Sequence, residues 1–442
     1  MSTPPVAPVR RHLLRPLAAV AVAGLLGACG LVGTAADGGA VSTAVPAGPV
    51  TLSILTSDDS PATKALARTF SEIHPNVTID YRHTPYDNYD TNLGHALGSE
   101  NAPDLALLNV LGDTAASGLI RDLDPYAKAF GWAERPSSAQ LDQWRSDGRS
   151  GRLGSGSLWA APAGFSLVGV YYNKDLAAKL GVTAPPQTLG EFEAALAKAK
   201  AAGELPLQVS NSDGHASFVF QALADRYQPI AKSTDWAFNA PGSTIVNDAT
   251  AKAAQKLADW ARHGYLPAGA NSTDQAGAMA AFTKGRGLFM IDGNWAATSV
   301  EEAMPGKAGF FTLPGELPGQ GATGVGTSLA YAVPAKARNP EVAAAFLNFL
   351  ASPEAAAVEL ANGYLPVAHA DTVRAPAGSV LADLVAAWDK VSDDNGLVPY
   401  FNNASATMNA TLTSQSQQLI TGKTSPAAFL EALQADWHKG RQ

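Results

Sequence analysis

The feature that most constrains the fold is a strand-helix-strand unit that begins at residue 50. Val50 to Leu55 and Val77 to Tyr81 are rich in β-branched residues and alternate as strands do. Between them, Leu66, Phe70 and Ile73 recur at helical spacing. Two strands joined through a helix pair in parallel, so this unit predicts an α/β protein built on a parallel sheet.

The composition excludes several classes of function. The chain has 442 residues, of which 46% are hydrophobic, and this predicts two domains with substantial cores. Its formal net charge is -8, so it lacks the excess of basic residues that binding to a nucleic acid requires. Cys29 is the only cysteine, which excludes an intramolecular disulfide and a thiolate metal cluster. We expect no cofactor, no metal and no nucleic acid.

The first 29 residues are organised like an export signal. Arg10 and Arg11 precede an apolar run from Leu17 to Leu26, which is too short to span a bilayer. The ending Leu26-Gly-Ala-Cys29 resembles the lipobox of bacterial lipoproteins, and this resemblance implies cleavage after residue 28 and lipidation of Cys29. An ordinary secretory signal with an incidental cysteine is the alternative. The paired arginines also resemble a twin-arginine signal, so the export route stays open.

A second informative segment places an aromatic side chain at the end of a strand. A predicted helix from Ala278 to Thr283 is stopped by Gly285 and Gly287, and a short strand from Leu288 to Ile291 leads into Gly-Asn-Trp295. Ligands of open α/β sheets bind at the carboxyl ends of strands. Trp295 is therefore a candidate ligand contact, and a buried core tryptophan is the alternative.

The order of motifs along the chain resembles family 1 of the extracellular solute-binding proteins, the maltose-binding-protein-like lipoproteins of ABC sugar importers. The resemblance runs from about Thr51 to the C-terminus, and Leu189 departs from the tryptophan that is common in the family. The matching stretches are Ala102 to Asn109, Leu119 to Tyr126, Val168 to Asp175, Phe282 to Trp295, Asn339 to Glu354 (expected to be one strong helix) and Asn362 to Pro366.

This resemblance implies a periplasmic-binding-protein-like α/β fold with two α/β lobes, a hinge and a ligand cleft between the lobes. Chain crossings are expected near Ala163, Leu317 and Pro366. The implied division is a lipoprotein signal peptide over 1–28, a flexible tether over 29–49, a first lobe of 50–163 and 318–366, and a second lobe of 164–317 and 367–442.

The implied function is capture of a sugar, most simply a small oligosaccharide, by hinge closure. The expected protein is a monomer, is not an enzyme, and is lipid-anchored on the extracytoplasmic side of the cell membrane, where it serves ABC permease subunits. A non-sugar solute such as a polyamine or a glycerophosphodiester is one alternative. A secreted carbohydrate-active enzyme is another, although no recognisable catalytic motif is present. Tyr171-Tyr172 suggests iron binding only weakly, because adjacent strand residues face opposite ways.

Sugar binding requires aromatic rings for the C–H faces and polar side chains for the hydroxyls. An aromatic residue beside a glycine turn, such as Trp295 or Tyr364, is a candidate for stacking on a sugar ring. An aromatic residue in the middle of a strand is expected to belong to the core instead. The candidate polar groups at strand ends have a simpler alternative, because they also cap the helices that follow. The candidate ligand contacts are Trp295, Tyr364, Trp159, Phe165, Asp58, Asp59, Asn109 and Asp213.

Overall fold

The computed structural model shows two mixed β-sheets with helices packed against them. It describes residues 41–58, 61–111, 113–134, 138–148, 152–183, 185–369 and 372–439. The predicted signal peptide, Cys29 and most of the tether lie outside these residues, and so does Asp59.

The first part of the chain forms most of the first sheet. β1 pairs in parallel with both β2 and β3, which confirms the parallel arrangement predicted for the strand-helix-strand unit. The elements are β1 (Val50–Thr56), α1 (Ala62–Ile73), β2 (Val77–His83), α2 (Tyr86–Gly98), β3 (Leu105–Leu108), α3 (Asp124–Phe130), β4 (Arg145–Ser146), β5 (Ser157–Leu158) and β6 (Ala161–Phe165).

The middle of the chain forms most of the second sheet. Several of its helices start at a side-chain cap, as when the Asn247 side chain accepts hydrogen bonds from the amides of Ala249 and Thr250. The elements are β7 (Val168–Asn173), α4 (Lys174–Lys179), α5 (Leu189–Ala201), β8 (Leu207–Gln208), α6 (Ala216–Tyr227), α7 (Ile230–Ala237), α8 (Asp248–Arg262), α9 (Gln275–Thr283), β9 (Phe289–Gly293), α10 (Ala297–Ala303), β10 (Ala308–Phe311) and β11 (Gly324–Val325).

The last part of the chain contributes to both sheets. The expectation of one helix from Asn339 to Glu354 is wrong. The helix ends at Phe349 and a second helix begins at Pro353, because proline lacks the amide hydrogen that a continuous helix needs. The Ser352 side chain caps the second helix. The elements are β12 (Ser328–Ala332), α11 (Pro340–Phe349), α12 (Pro353–Ala361), α13 (Val380–Asp393), β13 (Leu397–Val398), α14 (Met408–Ile420) and α15 (Pro426–Lys439).

Strand order separates the molecule into two α/β lobes. The first sheet has the order β2-β1-β3-β12-β6, and the second has β13-β11-β7-β9-β8 with β10 also paired to β7. Each sheet has its own apolar core, built around Phe70, Trp144 and Tyr331 in the first lobe and Phe192 and Trp260 in the second. A third apolar cluster, which includes Phe165, Tyr171 and Trp388, lies on the other face of β7. This arrangement confirms the predicted fold class.

The chain passes between the sheets at three places that lie side by side. The first passage, from β6 to β7, runs through Ser166. It contacts the second passage, from β11 to β12 through Thr327, and the third passage, which follows α12 and runs through Gly363 and Leu365. The Phe165 amide donates to the Leu365 carbonyl at 2.7 Å, and the Ser166 amide donates to the Thr327 carbonyl at 2.8 Å. The second passage leaves β11 at Gly326, beyond Leu317, because β11 still pairs with β7 and β13.

Candidate ligand-binding site

Trp295 lies at the carboxyl end of β9, in a short turn of 3-10 helix that precedes α10. Its side chain is half-buried, and its ring covers Gly293. A Cβ atom at Gly293 would lie 2.2 Å from Trp295 Cζ3, so only glycine leaves the ring this position. The glycine turn therefore determines where the tryptophan ring lies.

Trp295 begins a row of aromatic rings that leads toward the hinge. Its ring centroid is 6.1 Å from that of Phe218 on α6, and Phe218 is 5.3 Å from Tyr400. The Tyr400 hydroxyl donates to Ser166 Oγ at 2.9 Å, in the first passage between the lobes. Trp295 and Phe218 are both half-buried. Together they offer the kind of apolar surface on which a sugar ring stacks.

An acidic and histidine cluster lies beside Trp295. β8 and β9 are parallel neighbours, so the loops after them meet at one edge of the sheet. His215 Nδ1 lies 2.9 Å from Asp213 Oδ1, and His215 Nε2 lies 3.7 Å from Asp292 Oδ1. The Gln275 amide donates to Asp213 at 2.7 Å, and its side chain donates to Asp292 at 2.9 Å. The His215 ring is 6.2 Å from Trp295.

These charges shift one another's pKa values. Burial lowers the pKa of His215, but the close contact with Asp213 and the charges of Asp292 and Asp213 outweigh burial, so the net shift is upward. Burial raises the pKa of Asp213, but His215 and the Gln275 amide bring it below its ordinary value. Burial raises the pKa of Asp292, and the nearby His215 only partly offsets this. The imidazolium form of His215 is therefore favoured between two carboxyl groups.

A second group of polar side chains lies at the edge of the first sheet. β1 and β3 are parallel neighbours, and the loops after them bring Asn109 Nδ2 within 3.3 Å of Ser57 Oγ. Asp58 is buried; it accepts hydrogen bonds from the Tyr364 hydroxyl at 2.9 Å and from Thr63 Oγ1 at 3.0 Å. Sheet geometry thus brings Ser57, Asp58 and Asn109 to one edge.

Comparison with known proteins decides the family. A model for bacterial extracellular solute-binding proteins matches residues 54–357, which is more than half of the chain. This chain belongs to that family.

This solute-binding protein is 26% identical over 208 residues to the multiple sugar-binding protein of Streptococcus mutans, a match that covers 45% of this chain and 48% of the relative. The matches therefore span about half the length of the curated relatives. A solved structure from work on xylan utilisation by Caldanaerobius polysaccharolyticus superposes with a TM-score of 0.74 at 20% identity, and the match covers 87% of this chain and 99% of that one. The GacH receptor of Streptomyces glaucescens, studied unliganded and with acarbose, gives 0.70 at 20%, covering 89% and 98%.

The solute-binding protein buries two of the predicted aromatic contacts. Phe165 has no exposed surface and stacks on Trp388 at 5.2 Å, so the expectation that it offers a stacking face does not match its placement. The pairing of its amide with Leu365 turns the ring into the core. Tyr364 is 3% exposed, and its hydroxyl faces Asp58 rather than open solvent. Core roles had been the alternative for such residues.

Trp159 lies in a different setting from Trp295. It is half-buried beside the β4–β5 pair, and its Nε1 donates to the Ser146 carbonyl at 2.9 Å. It also packs against the core of the first lobe. Its contacts in the structure are thus with its own hairpin and with the core of the first lobe, and its role in ligand contact stays a prediction. Asp59 and the lipidation site Cys29 lie outside the described residues.

The idea of iron binding by Tyr171-Tyr172 receives no support from their positions. Tyr171 is fully buried and donates its hydroxyl to the Gly293 carbonyl at 2.8 Å, while Tyr172 packs on the opposite face of β7. Within the described residues, no group of three or more histidine, cysteine, aspartate or glutamate side chains is arranged to hold a metal ion. In the same part of the chain, no helix has the length and apolarity needed to cross a membrane.

Several side chains of the site were not predicted as contacts from the sequence; they include Phe218, Tyr400, His215, Gln275 and Asp292. His215 follows the predicted strand β8 by a few residues, and the strand-edge argument that selected Asp213 applies equally to it. Tyr400 had no comparable signal, because it reaches the site only through the packing of the chain after α13.

Proposed function

We propose that this solute-binding protein captures a sugar, a small oligosaccharide, in the cleft between its two lobes for an ABC importer. The observation that carries the proposal is the half-buried Trp295 at the end of β9, with Phe218 beside it and carboxylates around it. Stacking rings next to hydroxyl acceptors are what a carbohydrate requires. The sugar-binding relative and the structural relatives studied with acarbose and for xylan use support the same ligand class.

The site combines contacts from both lobes in this proposal. Trp295 and Asp213 belong to the second lobe, whereas Asp58 and Asn109 belong to the first. A ligand that contacts both groups binds the closed form more tightly than the open form, and this difference in affinity drives closure. The proposed lobes are 50–163 with 318–366 and 164–317 with 367–442, except that residues 318–326 go with the second lobe, because β11 pairs with β7 and β13.

A cationic solute such as a polyamine is the second candidate, because Asp213 and Asp292 both lie beside the Trp295 turn. Their arrangement favours the neutral ligand. His215 lies 2.9 Å from Asp213 and 3.7 Å from Asp292, and the raised pKa of His215 favours its positively charged form between them. A cation would have to displace or neutralise that charge. A glycerophosphodiester would have its phosphate repelled by the same two carboxyl groups.

We further propose that the protein is a monomeric lipoprotein, held on the extracytoplasmic side of the cell membrane through lipidated Cys29 and a tether over 29–49. The closed form would be the form that the permease subunits bind. We propose binding without catalysis, because a protein that captures a sugar for import releases that sugar chemically unchanged.

A thermal-shift screen tests the ligand class directly. The chain from Gly30 onward would be melted with monosaccharides, malto-oligosaccharides, xylo-oligosaccharides, spermidine and glycerophosphocholine. A ligand at about 100 times its dissociation constant stabilises the folded state by about 2.7 kcal/mol, which is a readily measured shift. We expect one oligosaccharide series to raise the melting temperature and to be recovered unchanged by chromatography.

Other outcomes of the screen are equally informative. A response to spermidine or glycerophosphocholine with none to sugars would leave the family assignment unchanged and contradict the proposed sugar ligand. Shortened sugar products would mean hydrolysis and would contradict a pure binding function.

A further inference from the structure

Asn294, between Gly293 and Trp295, makes an unusual set of contacts. Its side chain is fully buried, and each of its polar atoms is bonded to backbone. Its Oδ1 accepts from the Leu167 amide at 2.8 Å, and its Nδ2 donates to the Phe165 carbonyl at 3.0 Å and to the Gly363 carbonyl at 2.8 Å. One amide therefore joins two separate passages between the lobes.

The turn that carries Asn294 is firmly attached to the second lobe. Gly293 pairs with Val168 at the last position of the β7–β9 ladder, and the Gly293 carbonyl accepts the buried Tyr171 hydroxyl at 2.8 Å. Just beyond that pair, the Asn294 backbone amide donates to the Leu167 carbonyl at 3.1 Å, and the Asn294 side chain accepts from the Leu167 amide. The second lobe thus provides a fixed base for this side chain.

The third passage packs closely against the same turn. Gly363 has a φ of +86°, which favours glycine, and a Cβ atom there would lie 3.1 Å from the Asn294 carbonyl oxygen and 3.0 Å from Thr298 Oγ1. The third passage also pairs with the first, through the Phe165 amide and the Leu365 carbonyl. Any rotation of the lobes about these passages must therefore strain or rearrange the Asn294 contacts.

We propose that Asn294 is the hinge-positioning residue of this protein, which fixes two of the three passages relative to the Trp295 turn. A buried amide with three backbone partners strongly favours one geometry, because a buried polar group that is left without a partner destabilises the structure. Asn294 is adjacent to Trp295, so the candidate ligand contact and the residue that holds the passages in place share one turn. The inference concerns the hinge and does not depend on which solute binds.

The experiment measures the distance between the lobes without any ligand. Cys29 is the only cysteine, so the full chain with Cys29→Ser accepts two new label sites, Lys64→Cys on α1 and Ala197→Cys on α5. Both positions are exposed and lie on different lobes. Spin labels at these sites report the distribution of interlobe distances by pulsed electron resonance, and Asn294→Ser is compared with the unchanged residue.

Asn211 provides a matched control. It is also fully buried, but its side chain bonds to Ala216, Asn271 and Ser416, all within the second lobe. Asn211→Ser should lower the melting temperature and leave the interlobe distances unchanged. Asn294→Ser should broaden the distribution or shift its mean while the protein still melts cooperatively.

Two results would overturn the proposal. One is an unchanged distance distribution in folded Asn294→Ser. The other is failure of both Asn294→Ser and the isosteric Asn294→Asp to fold while Asn211→Ser folds, because Asn294 would then be a requirement of the fold itself rather than of hinge position.

Discussion

Trp295 is positioned by its neighbours rather than by burial of its own ring. Gly293 leaves the space that the ring covers, and the rings of His215 and Phe218 support its sides at 6.2 and 6.1 Å. A tryptophan held in this way presents a face at little cost in conformational entropy on binding. A residue-level change at this position should therefore affect binding more than stability.

Trp295→Ala should weaken sugar binding by at least about tenfold, which corresponds to about 1.4 kcal/mol, because the stacking face is lost. The protein should still melt cooperatively. Titration calorimetry with the sugar that responds in the thermal screen measures the change. Tyr265→Ala is the control, since Tyr265 is a half-buried aromatic residue of the second lobe whose ring contacts that of His263. Loss of cooperative melting in Trp295→Ala would instead identify a core residue.

The charges around His215 predict a pH dependence of stability. A raised histidine pKa adds stability below the unfolded value of about 6.5, and this is lost as the pH rises through the folded value. The lowered pKa of Asp213 adds stability above about 3.9, and this is lost as the pH falls through the folded value. The pair therefore contributes most between about pH 4 and 6.5.

His215→Gln should accordingly lower the melting temperature most in that window, and the difference from the unchanged protein should shrink at higher pH. Melting curves from pH 4 to 9 measure it. Burial raises the pKa of Asp292, so ionisation of Asp292 destabilises the fold as the pH rises. Protonated His215 partly offsets this effect, and the offset is lost in His215→Gln over the same pH range in which His215 is charged. A difference that is constant with pH would mean that His215 acts through packing alone.

At the scale of elements, the ends of parallel strands create the site. β8 and β9 bring Asp213 next to the Trp295 turn, and β1 and β3 bring Asp58 near Asn109. Each strand end alone carries one or two polar or aromatic residues. Their meeting at one edge is a property of the sheet.

Gly293→Ala tests whether the strand end sets the position of the tryptophan. The new Cβ would collide with the Trp295 ring, and the backbone φ of -86° accepts alanine without strain. The ring should therefore rotate away, and sugar affinity should fall nearly as far as in Trp295→Ala, with little loss of melting temperature. Calorimetry and melting of the two variants side by side provide the measurement. Unchanged affinity would show that the ring does not need this position.

The sequence allowed the elements and the strand-edge residues to be predicted because these depend on local patterns. Alternation and helical spacing located β1, α1 and β2, and the glycine turn located Trp295. The contact between Asp58 and Tyr364 joins residues that are 306 positions apart, and no local pattern indicates it. The burial of Phe165 likewise depends on Leu365 and Trp388, which come from the third passage and α13.

At the scale of the whole molecule, three adjacent passages join the two lobes. We expect the lobes to rotate relative to each other about these passages. The passages bond to one another and to Asn294, and each lobe keeps its own sheet. Hinge motions of this kind place the ligand between rigid bodies.

Localisation is a second prediction at this scale. The protein with Cys29→Ser should move from the membrane fraction to the soluble or secreted fraction, because one acylated cysteine would be its anchor. Cell fractionation with immunoblotting measures the change, and Ser42→Ala in the tether region serves as the control. A Cys29→Ser protein that stays with the membrane would contradict lipid anchoring at this residue.

The most direct test of the account is small-angle X-ray scattering of the protein with and without a saturating oligosaccharide from the series that raises its melting temperature. Closure of the lobes on the sugar predicts a smaller radius of gyration in the complex. A sugar that stabilises the protein but leaves the radius unchanged would contradict closure, and the absence of any stabilising sugar would contradict the proposed ligand.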